Sequence, residues 1–199
     1  MERCVVNKRE IAFTGVVLAG GRSTRMGRDK ALLTLPNGRT LLEQAVATLR
    51  ELGATEILVS IGSDKTYGLP GTRELPDVQA DCGPLGGLHA CLSAAKEKLC
   101  VVLAVDLPAM TPEYLRGLVS QTQARRGAVP VSDSSAEPLA AVYPKEALAE
   151  VQRALDTGDF SLQKLIRRLE QDGLVECVPV APGERTLFAN WNSPEDCRY

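Results

Sequence analysis

Hydrophobic positions along the chain follow two alternating patterns. Short apolar runs rich in β-branched residues predict buried strands, and stretches with apolar residues three and four positions apart predict helices that cover a sheet. The predicted strands are Ala12–Leu18, Glu56–Ile61, Leu99–Val105, Ala128–Val131, Leu139–Tyr143 and Leu174–Val180. The predicted helices are Leu41–Leu52, Leu85–Ala95, one capped by Thr111, Ala147–Leu155, Leu162–Glu170 and a last one opened by Ser193, with Pro70–Gly83 as a loop. This order predicts a Rossmann-like, three-layer α/β/α domain with a mostly parallel sheet.

The length of 199 residues suits a single domain, and no repeat or linker interrupts the chain. We therefore predict one domain over 1–199, with 1–12 as an N-terminal extension. The extension lacks the apolar core of a signal peptide. No apolar stretch approaches the roughly 20 residues of a membrane span.

Charge and composition narrow the class of partner. A net charge of -2 and an aromatic content of 4% do not favour a nucleic-acid surface or an anionic membrane, so a small substrate is expected. Six cysteines contain no C-x-x-C pair, and His89 is the single histidine. Reduced, structural cysteines in a cytoplasmic protein are therefore expected, and His89 is read as a packing residue.

The most informative segment follows the first predicted strand, at the edge of the sheet where open α/β folds bind ligands. It reads LAGGRSTRMGRDK from Leu18 to Lys30. Glycines let the backbone approach a ligand closely, and arginine and lysine are donors to phosphate oxygens. Neither the P-loop pattern nor the dinucleotide-binding G-x-G-x-x-G fits this loop. A solvated basic turn is the structural alternative.

The pattern L-A-G-G-x-S-x-R-M-G-x-D-K resembles the signature of the MobA-type molybdenum cofactor guanylyltransferases, within the nucleotidyltransferase superfamily. The resemblance implies transfer of GMP from GTP to molybdopterin with release of pyrophosphate. It also implies that Arg25 and Lys30 bind the triphosphate. The loop residues that it assigns to the nucleotide, chiefly to guanine, are Leu18, Ala19, Gly20 and Gly21.

Acidic residues at predicted strand ends extend the resemblance. Asp106 follows a buried strand and matches the family's D-x-P segment, which implies that it binds Mg²⁺ and the nucleotide; a turn aspartate beside proline is the alternative. Asp77, ahead of the G-P-L-x-G match at Gly83–Gly87, would lie beside the nucleoside, with Asp81 as a competing candidate. Those glycines also suit simple helix packing.

The end of the chain adds the acceptor side. Asn190 and Asn192 resemble the family's N-x-N-T-P-E segment and would lie on one strand face towards the metal or the pterin phosphate, although side-chain amides also stabilise turns. Glu137-Pro138-Leu139 resembles another segment on that side. Two positions depart from the pattern: Ser60 stands where many relatives carry asparagine, and Trp191 replaces a small residue.

The resulting hypothesis is direct displacement at the α-phosphorus by the acceptor's phosphate, with Mg²⁺ on Asp106 and with Arg25 and Lys30 neutralising charge. Transient contacts with proteins that deliver the cofactor or receive the product are expected. Alternatives are a cytidylyltransferase for the same cofactor, a sugar-phosphate nucleotidyltransferase, and a nucleotide-binding module without turnover. The match to the guanylyl branch lies in Leu18, Gly20-Gly21 and Gly83-Pro84-Leu85.

Overall fold

The computed structural model describes residues 11–20, 29–62, 66–77, 79, 81–123 and 125–191. Within these ranges, eight strands form one sheet in the order β3-β2-β1-β4-β7-β5-β6, with β8 paired to the other side of β5. The strands are β1 Thr14–Leu18, β2 Glu56–Ile61, β3 Arg73–Pro76, β4 Leu99–Ala104, β5 Gly127–Ser132, β6 Ser135–Ala136, β7 Ala140–Pro144 and β8 Val175–Pro179.

Most neighbouring strands run in the same direction. β1 pairs in parallel with β2 and β4, β2 with β3, and β5 with β8, whereas β7 runs against β4 and β5. The register of β1 sets Leu18 beside Ser60 of β2 and Ala104 of β4. The carboxyl ends of these three central strands therefore meet at one edge of the sheet.

Helices cover both faces of the sheet. They are α1 Leu41–Leu52, α2 Pro84–Ala94, α3 Pro112–Ser120, α4 Leu148–Asp156 and α5 Leu162–Gln171. One apolar core joins α1 and α3 to Val17 and Val101, and the other joins α2, α4 and α5 to Val16 and Val102. Consecutive strand residues point to opposite faces, so β4, buried at all six positions, contributes to both cores. The predicted three-layer α/β/α architecture is confirmed.

Local signals fix the ends of the helices. Thr40 accepts a hydrogen bond from the amide of Glu43, whose carboxylate accepts from the Thr40 amide, and Gly53 ends α1 in the left-handed conformation at φ 99°. Thr111 caps α3 ahead of Pro112, as predicted. These contacts lie within a few residues of each other, so sequence alone reveals them.

The sequence pattern does not predict two strands and three 3-10 helices of the described residues. The predicted loop Pro70–Gly83 contains the edge strand β3, and the hairpin partner β6 has only two residues. The 3-10 helices cover Lys30–Leu32, Lys145–Ala147 and Pro182–Phe188. The expected helix at Ser193 and residues 1–10 of the N-terminal extension lie outside the described residues, so the single-domain boundary 1–199 stays a prediction. Over the part of the chain that is described, no helix is both long and apolar enough to cross a membrane.

Candidate active site

The candidate site lies where β1, β2 and β4 end. The amide of Ala19 donates to the carbonyl of Ser60 at 3.0 Å, and the amide of Val105 donates to the carbonyl of Leu18 at 3.3 Å. Leu18 and Ala19 are both buried. These bonds hold the start of the glycine-arginine loop between β2 and β4 and engage the Ala19 amide within the protein.

Lys30 and Asp106 meet at this edge although 76 positions separate them. Lys30 Nζ donates to Asp106 Oδ2 at 3.1 Å, and the two side chains are 18% and 25% exposed. Such a partly exposed pair adds at most about 1 kcal/mol to stability. The main consequence of the pair is that the Lys30 ammonium is held beside a carboxylate at the carboxyl ends of the strands.

The second oxygen of Asp106 marks a place for a cation. Asp106 Oδ1 is buried and has no hydrogen-bond partner among the described residues. A buried carboxylate oxygen without a donor is costly unless a ligand satisfies it. A divalent ion fits this position, because Mg²⁺ is held by one or two carboxylates together with substrate phosphates. The described residues contain no group of three His, Cys, Asp or Glu side chains that could cage a metal alone.

The end of the chain returns to Asp106. The amide of Trp191 donates to the Asp106 carbonyl at 2.9 Å, which brings the exposed Asn190 next to the strand end. Residues 189–191 do not form a strand, so the expected shared strand face for Asn190 and Asn192 is corrected. Asn192 itself lies outside the described residues.

The segment around Glu137 lies on the same side. The amide of Ala104 donates to the Leu139 carbonyl at 2.8 Å, which sets Glu137-Pro138-Leu139 beside the end of β4. Burial raises the pKa of the Glu137 carboxyl above its usual range. The backbone bonds of Ala104 to Leu139 and of Trp191 to Asp106 thus bring both segments to the end of β4, and their role towards the acceptor stays a prediction.

On the other side of the site, Asp77 and Ser60 form a hydrogen-bonded pair. Ser60 Oγ donates to Asp77 Oδ1 at 2.7 Å, and the Asp77 amide donates to the Ile61 carbonyl at 3.1 Å. Burial raises the pKa of the Asp77 carboxyl, and the Ser60 hydroxyl opposes part of that effect. One carboxylate oxygen is therefore fixed from within the protein.

Two glycines make room for this pair. A β-carbon added to Gly20 would lie 3.0 Å from Asp77 Oδ2, and one added to Gly87 would lie 2.1 Å from Ser60 Oγ. Gly87 belongs to the first turns of α2, so the helix approaches β2 closely only because this residue has no side chain. Gly87 of the G-P-L-x-G match thus lets α2 pack closely against Ser60 and Asp77.

This geometry separates the two competing acids. Asp77 faces Gly20 across the strand ends, whereas Asp81 is exposed in the turn before α2, at φ 66°. Among the remaining predicted site residues, Gly21 and Arg25 lie outside the described residues. Their roles stay predictions.

Ser60 is a residue of the candidate site whose contact the sequence pattern does not predict. In the sequence it is only a departure from the asparagine of many relatives, yet it is 1% exposed and bonded to Asp77. A buried polar residue at the end of an otherwise apolar strand is the signal that could have identified it.

The lone histidine and the cysteines lie apart from this chemistry. His89 is half-buried on α2, and its Nδ1 has no hydrogen-bond partner in the described ranges. Within the described ranges, Cys91, Cys100 and Cys177 carry free thiols. Burial raises the pKa of Cys100 to about 12, so its thiol stays protonated and unreactive at neutral pH.

The fold and the site together define a class. A mostly parallel sheet carries a glycine-rich loop after its first strand, a lysine paired with an aspartate, and a second aspartate packed between two glycines at the same edge. Open α/β sheets bind nucleotides at this edge. The arrangement is that of a nucleotide-binding transferase.

Comparison with known proteins gives the family. Residues 15–173 match the MobA-like NTP transferase domain. A probable molybdenum cofactor guanylyltransferase of Opitutus terrae is 38% identical over 188 residues, covering 93% of each chain. Molybdopterin-guanine dinucleotide biosynthesis protein A from Archaeoglobus fulgidus superposes with a TM-score of 0.73 at 25% identity, over 94% of this chain and 95% of that one. The chain belongs to the MobA-like NTP transferase family, and the resemblance seen in the sequence is confirmed.

Membership in this family also indicates dependence on a divalent metal ion. A Mycobacterium tuberculosis protein determined as a manganese complex shares the fold at 23% identity and a TM-score of 0.61, covering 85% of this chain and 88% of that one. The manganese ion belongs to that protein. For the present chain, the fit of a cation rests on Asp106 Oδ1.

Proposed function

We propose that this protein transfers GMP from GTP to molybdopterin, releasing pyrophosphate and forming the guanine dinucleotide form of the cofactor. The observation that carries the proposal is Asp106, whose buried, unpartnered oxygen lies beside Lys30 at the strand ends. The choice of GTP and molybdopterin follows the relatives, which are named molybdenum cofactor guanylyltransferases.

Guanine recognition is assigned to Asp77 and to the residues around it, Gly20 and Ser60. A carboxylate accepts hydrogen bonds from two adjacent N–H groups, and guanine presents N1–H and the 2-amino group side by side. The Ser60 hydroxyl holds Asp77 Oδ1, and Gly20 leaves Oδ2 uncovered by a side chain. The Ala19 carbonyl adds an acceptor, while Leu18 acts through the backbone bond that positions the loop.

Mg²⁺ is the cation proposed at Asp106. When bound with the triphosphate, it would neutralise phosphate charge and stabilise the charge that develops in the transition state. Hard cations prefer oxygen ligands, and Asp106 Oδ1 is such an oxygen.

The chain's own residues position the reactants. A phosphate monoester on the acceptor is already an anion near neutral pH, so it needs no general base. Its oxygen forms a bond to the α-phosphorus of GTP while the bond to the β-phosphate oxygen breaks, and pyrophosphate leaves with that electron pair. Lys30 supplies positive charge to the triphosphate, Arg25 is proposed to do the same, and Asn190 with Asn192 would contact the acceptor.

The decisive experiment is pyrophosphate release from GTP and from CTP, each with Mg²⁺, with and without a molybdopterin acceptor. Release that requires GTP and the acceptor supports the proposal. Preference for CTP would keep the mechanism and replace the base, as in a cytidylyltransferase. GTP binding without release under any condition would favour a nucleotide-binding module, and release with a sugar phosphate would replace the acceptor.

A lysine variant tests the role of the Lys30–Asp106 pair. We expect Lys30→Ala to lower kcat/KM on the order of 100-fold, as loss of one transition-state donor does. Lys164→Ala is the matched control, because Lys164 Nζ lies 3.3 Å from Asp159 Oδ1 in an ion pair on α5, outside the site. Normal turnover by Lys30→Ala would remove this lysine from the mechanism.

The cytoplasm is the proposed location, since buried free thiols such as Cys91 and Cys100 suit a reducing compartment. Contacts with proteins that deliver the pterin or receive the product stay a prediction.

A further inference from the structure

Tyr67 lies in the segment 66–72 that connects β2 to β3 and reaches across to the residue before Lys30. Its hydroxyl donates to Asp29 Oδ2 at 3.0 Å, over 38 positions of sequence. The ring of Tyr67 packs against the core on the α1 side of the sheet. The packing of the ring therefore fixes the position of the hydroxyl that bonds to Asp29.

Asp29 in turn shapes the backbone at Lys30. Asp29 Oδ1 accepts a hydrogen bond from the amide of Ala31 at 3.1 Å, which caps the short 3-10 turn Lys30–Leu32. The two carboxylate oxygens of Asp29 thus contact two different partners, one within the turn and one in the segment 66–72. The Lys30 side chain extends from this turn, and its Nζ donates to Asp106 Oδ2.

The segment that carries Tyr67 is itself tied down by Glu74 at the start of β3. The Glu74 carboxylate accepts from the Thr66 hydroxyl at 2.7 Å and from the amides of Tyr67 and Gly68. An Arg50 guanidinium on α1 also donates to the Pro70 carbonyl. Desolvation opposes ionisation of Glu74, but the hydrogen bonds from Thr66, Tyr67 and Gly68 prevail and lower its pKa.

The protonation state of Tyr67 suits a constant donor. Burial, followed by the hydrogen bond and the negative charge of Asp29, raises the pKa of the Tyr67 hydroxyl above its usual range. The hydroxyl therefore keeps its proton at any physiological pH.

We infer that Tyr67 is a positioning residue for catalysis, which acts through Asp29 to hold Lys30 against the triphosphate. The inference rests on the proposed role of Lys30 and adds a residue to it that the glycine-arginine motif does not contain. A hydrogen bond between a hydroxyl and a carboxylate is stronger than a neutral one, and a small displacement of a catalytic group is costly in rate.

Tyr67→Phe tests this directly, because it keeps the packed ring and removes only the hydroxyl. We expect kcat for pyrophosphate release to fall roughly tenfold, from the loss of one hydrogen bond to a charged group. Thr157→Val is the matched control. It removes a hydroxyl that donates to the Arg153 carbonyl at the end of α4, away from the site, and should leave kcat unchanged.

The pair of variants Tyr67→Phe and Lys30→Ala separates positioning from general structural loss. If Tyr67 acts through Lys30, adding Tyr67→Phe to Lys30→Ala lowers kcat no further, so the two effects are not additive. Equal factors in both backgrounds, or wild-type kcat for Tyr67→Phe, would overturn the inference while leaving Lys30 in place. Wild-type turnover by Lys30→Ala would instead overturn the proposed role of Lys30, and the inference with it.

Discussion

Gly87→Ala tests most directly how α2 packs against Ser60 and Asp77. The added β-carbon would lie 2.1 Å from Ser60 Oγ, 2.8 Å from Ser60 Cβ and 3.1 Å from Asp77 Oδ1. Rotation of the serine hydroxyl removes only the first of these contacts. Because Ser60 is 1% exposed at the end of β2, either α2 or the strand has to move.

The expected magnitude follows from two opposing terms. Overpacking a buried site costs about 3 kcal/mol at the upper end of its usual range. Replacing glycine by alanine inside a helix returns about 1 kcal/mol. The net loss of about 2 kcal/mol should lower the melting temperature by about 4 to 8 °C for a chain of this size.

Gly117→Ala is the matched control. Gly117 also lies inside a helix, α3, but an added β-carbon there meets nothing within 4 Å. This variant keeps the gain in helix propensity without the clash, and its melting temperature should rise by about 2 to 4 °C. Thermal unfolding of the two variants side by side gives the sign of each effect.

The functional consequence is measured by comparing KM for GTP with KM for inosine triphosphate (ITP), whose base lacks the 2-amino group of guanine. Displacing Ser60 releases Asp77, so KM for GTP should rise on the order of tenfold and the preference for GTP over ITP should shrink. Adding Ser60→Gly removes the clash and should recover most of the melting temperature but not the preference. An unchanged melting temperature and an unchanged preference for GTP in Gly87→Ala would refute the assignment of guanine recognition to Asp77.

Three further predictions concern pH, metal and packing. Burial raises the pKa of Asp77, so its carboxylate becomes protonated at a higher pH than that of an ordinary aspartate. KM for GTP should therefore rise as the pH falls towards that pKa. Asp77→Asn should have a high KM that depends less on pH. Chelation by EDTA should stop pyrophosphate release without lowering the melting temperature, because Asp106 contributes one carboxylate and no described cluster cages a metal; a large fall in melting temperature would contradict this. Tyr143→Phe leaves the partly buried Pro138 carbonyl without its 2.8 Å hydrogen bond. It should cost about 1 to 3 kcal/mol in the free energy of unfolding, measured by urea denaturation, and an unchanged midpoint would show that the bond adds nothing.

Much of the fold is predictable from local pattern. Apolar runs located six of the eight strands in the described residues, and the capping residue Thr111 placed the start of α3 correctly. The strand β3 escaped because none of its residues is buried, so its apolar periodicity is weak. The strand β6 has two residues and owes its existence to pairing with β5.

The sequence by itself determined the family motif that contains Lys30 and the position of Asp106 after a buried strand, because both are properties of short segments. Only the tertiary structure decided that Asp77 rather than Asp81 faces Gly20, that Ser60 holds it, and that Tyr67 reaches Asp29. These contacts join residues 17 to 57 positions apart, and they depend on how β2 and α2 pack on β1. Periodicity reports which face of an element is buried, whereas the partner across a gap is fixed by packing distances that no local pattern encodes.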